Sequence, residues 1–497
     1  MYKKVSANFN SFNYPSLDSC LIPFVNAHAF SGIIGIYDFS SNVHQIYSSN
    51  PDQYNFDTCF RIASLSKPFL AMLILKNFDD INIKISPEIL GLNDIYWPTY
   101  WSDITISELL SHCSGIPDCL HPNFSELYTF IKEFEDPQHL TNCLSDEISF
   151  IKDNHGAYIY SNSNYFILTR LLEYHCQNTY DQILNDFLQS LDMKKSGLLV
   201  HGKNGFIDQI DGFYGGYWDE INGENRQFET SFRHAGGSAG MFSTLEDMAK
   251  FSKEIYMLAN GYDCKLSRFG LTQSLLNDHI LTNQCDESLD DDRYGLGFRL
   301  FKFGAFGHGG MFNGFRAKFI MNKDGQCVIE MQNRVNAFPK VADSIYYQMF
   351  LNNRDCIFPS FKTDESFLDQ SALNFFEQPK QYLTNLENHG VHSYKIYSKD
   401  SKLIVTKFLA GDDPQNYCEF EIKLMDGENR KYFRDMRPEI FDLSDLDHLE
   451  VQIWDIDKWD SLSFFLVKES KAKDFINFIT ICLFFYLLNQ ISNKNIL

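Results

Sequence analysis

Positive charge is scarce in this chain. Lys and Arg number 43 against 65 Asp and Glu, a formal net charge of -22. A nucleic-acid phosphate backbone is repelled by such a balance, so nucleic acid is excluded as a partner. Metal-ligand spacing is also missing. The 12 Cys stand singly, with no CxxC and no HxxxH, so no metal and no cofactor is called for. His112 beside Cys113, with Cys119 close by, reads as a structural loop histidine. Gly236, Gly237 and Gly240 are not followed by the Gly-Lys-Thr/Ser of a phosphate cradle; they read as a tight turn feeding a helix from Leu245. Cysteines inside apolar runs, such as Cys327-Val328-Ile329 and Cys482-Leu483-Phe484, read as buried free thiols in a reducing compartment.

Long apolar runs are few. Met1-Tyr2-Lys3-Lys4 carries charge, but Val5 to Tyr14 is polar and holds no secretory core, so the expected location is cytoplasmic. Phe475 to Leu488 is mainly apolar, yet fourteen residues span only ~21 Å as a helix against a ~30 Å hydrocarbon core. That favours a buried or interfacial terminal helix. The alternative is membrane association through residues 475–491.

At 497 residues the chain can hold two or three domains. Two runs, Ser31 to Tyr37 and Val43 to Tyr47, form a first hairpin, and 66–280 reads as mostly helical. Strands return at Tyr294–Phe303, Phe306–Met311, Phe315–Met321 and Gln326–Gln332, with Asn313-Gly314 and Asp324-Gly325 at turns. From His392 to Glu469 apolar and polar residues alternate, as in Cys418 to Leu424 and Leu449 to Trp454. That pattern implies a small antiparallel β domain, with a barrel as one form. The expected division is therefore 1–355, 356–470 and a hydrophobic tail at 471–497.

The chemistry concentrates in three places. Ser64 and Lys67 form a Ser-x-x-Lys pair ahead of the apolar run Phe69 to Leu75. A serine hydroxyl needs a neighbouring base to become a nucleophile, and residues i and i+3 of a helix share a face. If Ser64 opens that helix, its amide also lies at the positive end of the dipole. The spacing alone is weak, since Ser149 and Lys152 repeat it, as do Ser470 and Lys473. The second place is Tyr160-Ser161-Asn162, where a phenol can move a proton and an amide can both donate and accept. Tyr158 is the rival phenol. The third is His308-Gly309-Gly310-Met311, where glycines admit a close backbone.

In this order and spacing, SxxK, Tyr-Ser-Asn and His-Gly-Gly resemble the serine beta-lactamase-related family. The branch is that of class C beta-lactamases, D-alanyl-D-alanine carboxypeptidases, D-aminopeptidases and esterases. Leu109 to Pro117 resembles the family's "LLxHxSGxP" loop and Leu191-Asp192-Met193 its "LGM" segment. Gly236 to Thr244 with Asp247 is similar to its glycine-rich stretch, and Tyr294 to Phe298 to its "YGLGW" strand. The resemblance implies an α+β fold of the beta-lactamase/transpeptidase type: an antiparallel sheet flanked by helices, with an all-helical lobe, here joined by the C-terminal antiparallel β domain. It implies an acyl-enzyme on Ser64, with Lys67 and Tyr160 as a coupled acid/base pair and Tyr160 returning the proton to the leaving group. Asn162 would hold the acyl-side amide and orient Lys67. His308 and Gly309 would line the strand edge facing substrate, and the amides of Ser64 and Met311 would form the oxyanion hole.

His308 departs from the Lys-Thr-Gly of class C beta-lactamases. A neutral histidine is a weaker carboxylate anchor, which counts against efficient penicillin hydrolysis. Arg316 reads as a solvated strand arginine, with substitution for the missing charge as the alternative. The expected activity is serine hydrolysis of an amide or ester, in a D-amino-acid-containing peptide or a small ester. The alternative is a slow-turnover penicillin-binding-like sensor or scaffold. The sequence chooses no oligomeric state.

Overall fold

The computed structural model describes residues 16–26, 30–91, 99–118, 155–199, 236–284, 293–301, 303–312, 315–333, 341–351, 369–383, 391–409, 417–426, 431–434, 439–444, 446, 448–455 and 460–468. The N-terminal hairpin is β1 (Gly32–Asp38) and β2 (Val43–Ser48). Three short strands follow: β3 (Phe60–Arg61), β4 (Gly197–Leu198) and β5 (Met241–Ser243). Next come β6 (Arg293–Tyr294), β7 (Arg299–Leu300), β8 (Phe306–Phe312), β9 (Phe315–Met321) and β10 (Gln326–Gln332). Seven of these make one antiparallel sheet in the order β2-β1-β10-β9-β8-β7-β6, so the chain's first hairpin closes on its last strand.

Both faces of this sheet are covered, which explains why β1 is buried at every position. Ile33, Phe319, Ile329 and Met331 pack with the helical lobe. Their strand neighbours Ile34, Ile36, Ile320 and Val328 pack with α1 (Leu17–Asn26) and a helix at Val341–Phe350. The period-two alternation therefore feeds two cores rather than one core and solvent.

The lobe is built around α2 (Lys67–Asn77), which is buried from Lys67 to Leu75 and apolar on all sides, as expected of a central helix. Around it lie α3 (Ile106–Ser111), α4 (Asn162–Cys176), α5 (Tyr180–Ser190), α6 (Gly236–Ala239) and α7 (Leu245–Ala259). Phe69 of α2 stacks on Phe251 of α7 at 4.1 Å. One element departs from the sequence reading: β3, β5 and β4 form a small three-stranded sheet inside the lobe. Two- and three-residue strands are too short to carry a periodic signal.

The C-terminal part is a closed barrel of eight strands between Lys380 and Lys468, sealed by pairing of the first strand with the last. Tyr382, Tyr394, Val405, Phe441 and Val451 fill its core, joined by Ala372 and Phe376 from the segment before it. The fold is α+β of the beta-lactamase/transpeptidase type with an added β domain. Among the described residues no helix is long and apolar enough to cross a membrane; the tail at 471–497 lies outside them. Cys20, Cys59, Cys176, Cys264 and Cys327 are free thiols. Cys113 is disulfide-bonded, which corrects the free-thiol expectation there.

Candidate active site

Three pieces of chain meet at Ser64. The first is the turn that carries it. Ala63 has a left-handed φ of 46°, a conformation costly for a residue with a Cβ. The surroundings hold it. Ile62 N donates to Met241 O at 3.1 Å. Ser66 Oγ donates to Ala63 O at 2.6 Å and accepts from Met241 N at 3.1 Å.

Ser64 does not open the α-helix. It lies in a 3-10 turn over Ala63–Ser66, and α2 begins at Lys67 with Pro68 in its first turn. Three residues per turn bring i and i+3 into line, and Lys67 Nζ lies 3.0 Å from Ser64 Oγ.

The lysine amine is buried. It donates to Asn162 Oδ1 at 2.7 Å and to Ser238 O at 2.9 Å as well as to Ser64. Three acceptors compensate the burial of a cationic head that would otherwise cost several kcal/mol. Tyr160 and Tyr165 add ring faces at 4.9 and 5.3 Å.

The second piece is the start of α4, held by the segment after α3. Thr105 and Glu108 cap α3 reciprocally, and the helix ends at His112 with φ 61°. His112 Nδ1 then accepts from Ser161 N at 3.1 Å. Pro117 O accepts from Ser161 Oγ at 3.0 Å and Ser163 Oγ at 2.7 Å. Asp118 accepts from Asn162 N at 3.1 Å and from Asn162 Nδ2 at 3.0 and 3.2 Å. Burial holds the His112 ring well below the usual histidine range, with Lys67 nearby adding to the effect. The ring is therefore neutral, as an acceptor at Nδ1 requires.

Tyr160 lies next to this segment, with the Lys67 amine 4.9 Å from the centre of its ring. Burial raises its pKa above the ordinary phenol value; the nearby Ser64 hydroxyl and the Arg299 cation offset this only partly. The Arg299 guanidinium sits 5.5 Å from the centre of that ring. Tyr158, the rival phenol, stacks instead on Tyr294 at 5.6 Å.

The third piece is β8. A Cβ on Gly310 would lie 1.9 Å from Ile62 O and 3.0 Å from Ser64 N, so the strand can approach the nucleophile's turn only as glycine. The glycine-rich strand was expected to leave room for a substrate backbone. At Gly310 that room is occupied by the protein's own chain. Gly309 has no heavy atom within 3.8 Å of a would-be Cβ, and Met311 is exposed. Strand β7 pairs with β8 only at Phe306 and Gly307, so among the described residues no strand covers that edge beyond Gly307.

His308 is placed differently from the expectation. It is 1% exposed, with Nε2 2.9 Å from Tyr294 Oη and Nδ1 2.6 Å from Gly309 O. Both ring nitrogens are thus engaged inside the protein rather than facing a substrate. Burial, then Arg299 and Lys67, hold it well below the usual histidine range. Arg316 lies opposite Met311 on β9, with Nη2 3.2 Å from Met311 Sδ. Arg299 joins Lys67 as a second cation over the Tyr160 ring. Asp118, Ser238 and Arg299 were not singled out from sequence. Each follows or lies within a quoted motif, but Asp118 meets its partner 44 positions further on. Among the described residues no His/Cys/Asp/Glu cluster could hold a metal ion.

The beta-lactamase family model matches residues 43–343. The chain belongs to the beta-lactamase family. The family segment includes Ser64, Lys67, Asn162 and β8, and it ends before the barrel. Solved structures share the fold at low identity. A penicillin-binding protein from Bacillus halodurans has a TM-score of 0.52 at 18% identity, over 67% of this chain and 99% of that one. The octameric penicillin-binding protein homologue from Pyrococcus abyssi has a TM-score of 0.54 at 14% identity, over 90% and 99%. A D-stereospecific amidohydrolase from Streptomyces sp. has a TM-score of 0.52 at 17% identity, over 68% and 100%. No curated protein matches the chain.

Proposed function

We propose that this beta-lactamase family member is a serine hydrolase that forms an acyl-enzyme on Ser64. The observation that carries the reading is the Lys67 amine: two acceptors, Asn162 Oδ1 and Ser238 O, fix it, and its third direction points at Ser64 Oγ. For catalysis Lys67 first gives up the proton it directs at Ser64 Oγ, and Ser64 Oγ then passes its own proton to the freed Nζ lone pair as it attacks the substrate carbonyl. Tyr160, kept as a phenol by burial, gives its proton to the departing amine or alcohol and is reprotonated from Lys67. In deacylation water attacks the ester, Tyr160 and Lys67 relay its proton, and Ser64 leaves with a proton restored. The amides of Ser64 and Met311 suit the oxyanion, since Gly310 lets the two segments meet; such donors contribute on the order of 3–4 kcal/mol.

The substrate class that fits is a D-amino-acid amide, peptide or small ester. Stereospecific D-amide hydrolysis is named for one protein of this fold, and neutral, inward His308 removes the fixed charge that favours penicillin hydrolysis. The test is turnover by the full chain of D- and L-amino-acid amides, p-nitrophenyl esters and a penicillin, with Ser64→Ala as control. Ser64-dependent release from the D-amides or esters is expected. Turnover that survives Ser64→Ala would overturn the assignment, and a stable adduct without turnover would replace hydrolase by sensor.

A further inference from the structure

The Lys67 contacts depend on which way the Asn162 amide faces. Its oxygen must point at Lys67 and Ser238, because Lys67 Nζ and Ser238 Oγ both donate to it, at 2.7 and 3.0 Å. An amide carries an acceptor at one end and donors at the other, and a swap would aim an NH2 at the lysine amine. Something must select between the two orientations.

We propose that Asp118 is the positioning residue that makes this selection; the proposal rests on the serine-hydrolase reading only for its kinetic test. An ionised carboxylate is an acceptor on both oxygens. Both oxygens of Asp118 face the Asn162 NH2, at 3.0 and 3.2 Å, and one also accepts the Asn162 backbone N–H. The donor end of Asn162 is therefore bound to Asp118, and the acceptor end is turned to Lys67. The order Asp118, Asn162, Lys67, Ser64 is one continuous run of hydrogen bonds from loop to nucleophile.

Asp118 also serves where α4 lacks its usual cap. Ser161, at the N-cap position, makes no side-chain bond to the helix, and the Asp118 carboxylate meets the first free N–H instead, where a negative charge is favoured. This second role is purely structural, so the two must be told apart. Asparagine at 118 keeps the size and one acceptor oxygen but presents its own NH2, which opposes the present orientation of Asn162 and permits the swapped one.

The experiment is a double-mutant cycle on the full chain, reading the rate of covalent labelling by a fluorophosphonate. Asp118→Asn is expected to slow labelling on the order of 10²-fold, the effect of misplacing a reacting group by about 1 Å. Asn162→Ala should slow it comparably. The double variant should be no slower than Asn162→Ala alone, because the orientation no longer exists to be lost. Multiplicative losses would overturn the proposal and leave Asp118 as a helix cap only. Asp118→Ser, smaller and uncharged, enters the same cycle if Asp118→Asn does not fold. A crystal structure of the Asp118 variant supplies the arm that needs no activity. Lys67 Nζ should leave hydrogen-bond distance of Ser64 Oγ, and an unmoved lysine would overturn the proposal. Wild-type protein that fails to label would refute the hydrolase reading, while the crystal arm would still decide the role of Asp118.

Discussion

Gly310→Ala probes the contact between β8 and the nucleophile's turn. The new Cβ would lie 1.9 Å from Ile62 O, whereas ordinary contact begins at 3.4 Å. Strand and turn must therefore separate by about 1.5 Å, because the obstructing atoms are backbone and cannot rotate away. Overpacking of this kind costs about 1–3 kcal/mol of stability. The same movement carries the Met311 amide away from the Ser64 amide, and a displacement of this order costs on the order of 10²-fold in rate. The neighbouring glycine provides the contrast. A Cβ on Gly309 meets nothing closer than 3.9 Å, so Gly309→Ala should change stability by less than about 0.5 kcal/mol. Urea unfolding of both variants and fluorophosphonate labelling of Gly310→Ala make the assay. Equal stability losses at 309 and 310, or wild-type labelling by Gly310→Ala, would refute the close approach on which the oxyanion assignment depends.

Stability should fall as pH is lowered below about 6.5. His112 and His308 both have pKa values depressed by burial, so below the ordinary histidine value the unfolded chain takes up protons that the folded chain refuses. Each residue should contribute up to about 1.4 kcal/mol per pH unit; urea midpoints at pH 7.5, 6.5 and 5.5 that do not move would contradict this. Tyr294→Phe removes the phenol facing His308 Nε2 and should cost about 1–3 kcal/mol by leaving a buried nitrogen unpaired. A thermal midpoint equal to wild type would contradict the inward placement of His308. Lys67→Ala should lower the labelling rate by at least 10³-fold at pH 7. Rapid labelling of that variant would shift the base assignment away from Lys67.

Much of the fold was legible because its signals are local. Alternation and Gly-containing turns mark β8 to β10, and the apolar run of α2 marks a central helix. Ser64, Lys67 and Asn162 stood out by spacing and order, and the fold brings them within hydrogen-bond distance through Lys67. What escaped depends on distant pairings. Asp118 has meaning only beside Asn162, and Arg299 only once β7 is laid next to Tyr160. The inward turn of His308 was hidden because Phe306-Gly307-His308-Gly309-Gly310 has too few side chains to show which face is buried. The 3-10 turn at Ser64 is indistinguishable from helix in the sequence because both forms place i and i+3 on one side. The disulfide at Cys113 was missed because isolated cysteine spacings carry no connectivity.

The most direct measurement is the intact mass of wild type and Ser64→Ala after exposure to a fluorophosphonate, with peptide mapping of the adduct. One phosphonyl group on the peptide containing Ser64, absent from Ser64→Ala, is the expected result. Unmodified wild type, or an adduct that persists in Ser64→Ala, would contradict the claim that Ser64 is the nucleophile.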